Sequence, residues 1–181
     1  MKRFAFLVLL IAASGFAQKE KPFEYTIKKE GNLEIKLVLP TGTVVNPGNK
    51  VTIDQWQVAI ETTPAEPYVM ENLKGRDRNI GILSAYNAKG VKIPEDYSQR
   101  QTTESQFRTT ENGTFILLSK DIYTDEEHPE KLIVARVTGN YILSLTIVND
   151  IGDAEQAKKQ LIDILDRTTV TQNGKPWIAP E

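Results

Sequence analysis

Cysteine is absent from the 181 residues, and histidine occurs once, at position 128. The first absence excludes disulfides, cysteine nucleophiles, thiolate metal sites and a lipid-bearing N-terminal cysteine. The second leaves His128, in a charged loop just before Pro129, as the sole imidazole for acid–base work. No serine stands in a G-x-S-x-G elbow, so a serine–histidine–acid hydrolase has little to build on. Nor is there an apolar run of the roughly 20 residues that a membrane span needs. A positive excess is missing too: 22 basic residues face 24 acidic ones, so nucleic acid is not an expected partner. No internal repeat or low-complexity tract interrupts the chain.

The N-terminus reads as an export signal. Lys2 and Arg3 precede the apolar stretch FAFLVLLIAA, and Gly15-Phe16-Ala17 offers small residues at the two positions a signal peptidase requires. We therefore expect residues 1–17 to be removed and 18–181 to form a single α+β domain, secreted or periplasmic, with no membrane span after cleavage. Removing Lys2 and Arg3 leaves 20 basic against 24 acidic residues, a formal charge of −4. A cysteine-free exported chain must hold together by its hydrophobic core. Its apolar fraction of 40% and charged fraction of 25% are those of a soluble globular protein.

The clearest grammar lies between Leu132 and Val170. Residues 131–137 and 141–149 are strand-like runs rich in β-branched residues, joined through Thr138-Gly139-Asn140. A two-residue Gly139-Asn140 turn places Val134 opposite Leu145 and Leu132 opposite Ile147. One face of the hairpin then carries Leu132, Val134, Arg136, Tyr141, Leu143, Leu145 and Ile147; the other is smaller and partly polar. An amphipathic helix follows. Asp153 caps it, with Gln156 three residues on, and Ala154, Ala157, Leu161, Ile164 and Leu165 form its apolar stripe. Glu155, Lys159, Asp163 and Arg167 lie opposite at i, i+4 spacing.

Upstream, 23–29 and 33–39 predict a hairpin about Glu30-Gly31-Asn32, and Pro47-Gly48 marks a turn. Val51 to Thr62 reads as one strand with Trp56, Val58 and Ile60 on one face. Residues 63–78 are open between loop and a short helix from Pro67 to Gly75. Ile80 to Tyr86 reads as strand, 88–113 as a polar surface segment with at most one helix, and Phe115 to Ile122 as strand. The turn-rich tail 171–181 is expected to dock through Trp177 and Ile178. About six strands with hairpin-length connections and one good helix predict an α+β fold, mainly antiparallel.

Few residues suggest chemistry. Asp125, Glu126 and Glu127 beside His128 supply hard oxygen ligands that could hold Ca²⁺, but the spacing matches no EF-hand, and the stretch reads as a solvated connection between strands. Neither a metal nor a cofactor is called for. Lys74, Arg76 and Arg78 form a basic cluster that is either a charged surface turn or a site for a phosphate or a partner's carboxylate. Arg136, on the bulky hairpin face, either snorkels at the sheet rim or belongs to a binding surface. Trp56 and Trp177 are either core residues or an aromatic binding surface. Trp56, Arg76 and Arg136 are thus the candidate binding residues, with no catalytic candidate beside them.

Several of these features recur in order in one family. Ile35-Lys36-Leu37-Val38-Leu39-Pro40, Gly113-Thr114-Phe115 opening a strand, His128-Pro129 in a loop, Gly139-Asn140-Tyr141 and a closing helix from Ala154 to Arg167 together resemble the PsbP-like proteins. That family includes extrinsic photosystem subunits and many secreted bacterial relatives. Gly42 is in place after the proline, while the aromatic residue usual there is missing. The resemblance implies an α-β-α sandwich about an antiparallel sheet and a non-catalytic role in binding or assembling larger partners. It transfers no ligand or functional residue to this chain.

The expectation is an exported, non-enzymatic accessory or interaction protein whose partner is another exported or envelope protein. A carrier of a small apolar or amphipathic ligand is the alternative, and a secreted hydrolase a more remote one.

Overall fold

The computed structural model describes residues 22–68, 72–90, 102–122, 130–148 and 151–177. In chain order, β1 (Phe23–Lys29) and β2 (Leu33–Leu39) are followed by β3 (Val44–Asn46), β4 (Lys50–Ile53) and β5 (Trp56–Pro64). Helix α1 (Gly75–Gly90) leads to β6 (Thr102–Thr109), β7 (Phe115–Ile122), β8 (Lys131–Thr138) and β9 (Tyr141–Val148). Helix α2 (Ala154–Arg167), β10 (Thr169–Gln172) and β11 (Lys175–Pro176) complete it.

The β8–β9 hairpin forms in the expected register, with Leu132 opposite Ile147 and Val134 opposite Leu145. It lies inside a seven-stranded sheet ordered β3-β4-β5-β9-β8-β7-β6, in which every pairing is antiparallel. Both faces of the hairpin are covered. On one, Leu132, Val134, Leu143, Leu145 and Ile147 pack with Ala157, Leu161, Ile164 and Leu165 of α2 and with the odd-numbered residues of β2. On the other, Ala135 and Ile142 pack with Ile82 and Leu83 of α1, rimmed by Tyr68, Tyr86 and Phe115. Helices thus flank the sheet on both sides, an α-β-α sandwich. A four-stranded sheet, β1-β2-β10-β11, shares the α2 side.

Helix α2 starts where the capping pattern puts it, because the Gln156 amide donates to Asp153 Oδ1 at 3.0 Å. Its outer face holds Arg167–Asp163 at 3.0 Å, whereas Glu155 pairs with Lys158 at 2.6 Å rather than with Lys159.

Three expectations need correction. The stretch from Val51 is two strands, not one: β4 and β5 fold back at Asp54-Gln55, with Ile53 opposite Trp56 and Asp54 at a φ of +52°. The segment Ile80–Tyr86 is helix, and Gly75 starts that helix instead of ending one. Within 88–113 an eight-residue edge strand, β6, pairs with β7. The mainly antiparallel sheet forms as expected, with seven strands among the described residues, and a second sheet of four strands lies beside it. Residues 1–17 and the acidic loop with Asp125, Glu126, Glu127 and His128 lie outside the described residues.

Candidate functional site

The β7–β8 ladder runs from Asp121–Lys131 to Leu117–Ala135 and stops there. Beyond it, Arg136–Thr138 stay paired with β9, and Phe115 stays paired with Thr109 of β6. The two halves of the sheet part at this end, and a pocket of about 430 Å³ opens between them. Arg76 and Asn79 reach its wall from the first two turns of α1, three residues apart and so on one helix face. Arg136 and Val137 enter from β8, and Asn112, Thr114 and Phe115 from the β6–β7 turn and the start of β7.

Arg136 is anchored at its far side. Its Nη1 donates to the carbonyl of Leu165, and to that of Thr168 at 3.3 Å, at the C-terminus of α2. The last carbonyls of a helix lack intrahelical donors, and a guanidinium there also meets the negative end of the helix dipole. Burial pushes the Arg136 guanidinium below its ordinary value, and the charge of Asp166 works against that. Arg76 is exposed and lies with its guanidinium carbon 5.5 Å from the centre of the Phe115 ring. That ring stacks on Phe107, with centroids 5.4 Å apart and an interplanar angle of 15°. Arg76 therefore sits over a stacked aromatic pair as a cation on a π face.

Behind the pocket, Asp166 ties α2 to the β6–β7 turn. Thr110 Oγ1 donates to Asp166 Oδ1 at 2.5 Å, and Asn112 Nδ2 donates to Oδ2 at 2.7 Å. Burial acts to raise the Asp166 carboxyl pKa. Hydrogen bonds from Thr110, Thr114 and Asn112, with the Arg136 charge, outweigh it and hold the pKa below the usual carboxylate value. On the far side of this tie, a groove of about 910 Å³ runs along α2. Its walls carry both signs: Arg108, Lys159 and Arg167 face Glu111, Asp163 and Asp166 above Ile116 and Ile162.

Of the three residues singled out in the sequence, two converge. Arg76 and Arg136 line the same pocket. Trp56 stands apart in the core, 2% exposed, with its Nε1 donating to the Ile151 carbonyl at 2.7 Å. Such burial leaves it no face for a partner. Arg78 lines a separate pocket with Glu66 and Tyr141, so the basic cluster is divided between two sites. Sequence reasoning missed Asn79, which a helical reading of 75–90 would have put beside Arg76. It also missed Asp166, whose partners are 54 and 56 residues away. Among the described residues, no group of three or more His, Cys, Asp or Glu side chains is placed to hold a metal ion.

Comparison with solved structures supplies a fold relationship. The solution structure of cyanobacterial PsbP (CyanoP) from Synechocystis sp. PCC 6803 superposes with a TM-score of 0.52 over 89% of this chain and 99% of that one. The fold is PsbP-like. Sequence identity with that protein is 10%, so the likeness concerns the fold alone. No protein-family model and no curated protein matches the chain. Within the PsbP-like fold, the elements carrying the sequence resemblance take the expected roles: β2 ends before Pro40, Phe115 opens β7, Gly139-Asn140 turns the hairpin, and α2 closes over the sheet. No helix among the described residues is long and apolar enough to cross a membrane.

Proposed function

We propose that this protein is an exported, non-enzymatic accessory factor that binds another exported or envelope protein at the open end of its sheet. The observation that carries the reading is the convergence of Arg76 and Arg136, from α1 and β8, on one pocket whose lining, among the described residues, contains no carboxylate. Two guanidiniums left without an acid in their own pocket suit recognition more than stability, since arginine forks pair bidentately with acids presented from outside. The PsbP-like fold and the signal-like N-terminus support the accessory role, and the family resembled in sequence includes extrinsic subunits of larger assemblies. The larger groove is lined by opposite charges in mutual contact, which suits a solvated surface better than the apolar lining of a carrier.

The test is capture from the producing cells under gentle conditions, followed by native mass spectrometry. A protein-sized mass on the wild-type chain, absent with Arg76→Glu, is expected. A fixed mass of a few hundred daltons retained by both chains would instead identify a carrier. A bare monomer from both, with turnover on ester, peptide or glycan substrates, would replace the reading with an enzymatic one.

A further inference from the structure

We infer that the pocket between Arg76 and Arg136 is a receptor for one carboxylate group on an apolar stem, such as an acidic side chain or the C-terminus of a docking protein. The inference rests on the reading of this end of the sheet as the docking face, and it names the chemistry recognised there.

Donor supply is the first argument. Arg136 commits Nη1 to the Leu165 and Thr168 carbonyls, while its Nε and Nη2 make no hydrogen bond among the described residues. A half-buried guanidinium anchored through one nitrogen in the wall of a cavity is held in orientation before any ligand arrives. Arg76 makes no ion pair among the described residues, only its contact with the Phe115 ring. The Asn79 amide adds a neutral donor beside it.

Charge is the second. Among the described residues, the pocket lining carries two positive groups and no negative one. Asp166 is near enough to act on Arg136, but both its oxygens already accept from Thr110 and Asn112. Burial depresses the Arg136 pKa despite that neighbour, the mark of a buried cation with incomplete compensation. An incoming anion would supply the missing part.

Shape decides the kind of anion. Phe115 and Val137 form an apolar wall next to the two guanidiniums. A tetrahedral inorganic ion, hydrated on every side, gains nothing from that wall. A planar carboxylate matches the guanidinium fork, and its aliphatic or aromatic stem lies against the ring and the valine.

The experiment uses isotopically labelled protein titrated with butyrate, inorganic phosphate and chloride at constant ionic strength. The readouts are the side-chain Nε–H resonances of Arg76 and Arg136 and the backbone amide of Gly113. Butyrate is expected to shift all three saturably, phosphate to bind more weakly, and chloride to have no saturable effect. Arg76→Ala should weaken butyrate by about tenfold or more, the scale of losing a charge-assisted hydrogen bond, and Arg76→Lys should recover part of it. Arg76 is exposed, and the unchanged spectrum of the Arg76→Ala core would verify its fold. Three results would overturn the inference: no saturable shift, equal shifts at Arg108 and Arg167, or phosphate binding as tightly as butyrate. Partner capture that survives any of these would leave the docking role standing while removing the carboxylate from it.

Discussion

At the scale of single residues, Arg136 and Gly139 show how close structural and functional demands lie. Arg136 finishes helix α2 through Nη1 and also lines the pocket. Arg136→Ala removes donors from two carbonyls, and chemical denaturation should show a loss of about 2–3 kcal/mol. Arg136→Lys should retain part of that stability, since an ammonium still meets the end of the helix dipole. A loss below the resolution of the measurement would mean that water replaces the guanidinium there without penalty. Gly139 has φ at +64°, and an added Cβ would meet Leu33 Cδ2 at 3.4 Å. Gly139→Ala should therefore cost about 1–2 kcal/mol, read from the denaturation midpoint. The turn was legible because Gly-Asn between two alternating runs has few other uses. Arg136's anchoring was not, because the carbonyls it meets lie 29 and 32 residues further along the chain.

At the scale of elements, legibility followed amphipathicity. Helix α2 separates its apolar and charged faces cleanly and was readable with its cap; α1 hardly separates them at all. Ile80-Gly81-Ile82-Leu83 looks like a short buried strand, but it forms a helix that packs Ile82 and Leu83 against Leu117, Ala135 and Ile142 of the sheet. Strand β6 hid for the opposite reason: an edge strand exposed along most of its length needs pairing on one side but no apolar face. The β4–β5 turn left a trace, since apolar residues fall at 51 and 53 and then change parity to 56, 58 and 60. The tie between α2 and the β6–β7 turn carries a pH prediction. The folded-state pKa of Asp166 is depressed, so its contribution to stability is complete above the pKa of the unfolded chain's aspartate. It is lost as pH falls through the lower folded-state value. Asp166→Asn should thus be less stable than wild type at neutral pH, and the gap should narrow in acid. Denaturation midpoints collected against pH would reveal it; two parallel curves would exclude Asp166 as the titrating group.

At the scale of the whole molecule, the sequence showed the strands more readily than their division into sheets. Both hairpins near the ends, 23–39 and 131–148, alternate in the same way, yet one builds the large sheet and the other a small one beside α2. The difference lies in the partners. β9 is paired on both sides, by β5 and β8, whereas β2 gains its second neighbour only when the chain returns as β10. That return places Val170 opposite Ile35, and the Trp177 amide donates to the Val170 carbonyl at 3.0 Å, clasping the tail against the core. The fold is therefore closed by its last described residues. A chain ending at Thr168 keeps α2 and the Arg136 contact but leaves one edge of β2 bare, next to the fully buried Ile35. An unpaired strand with an apolar neighbour favours association over folding, so this truncation should broaden the unfolding transition and produce oligomers in gel filtration. Trp177→Ala keeps the strand and removes only a half-buried ring, and it should cost about 1.5–3 kcal/mol with the transition still cooperative. If the truncated chain instead remained monomeric with a sharp transition, the small sheet would be an attachment to the fold rather than part of its closure.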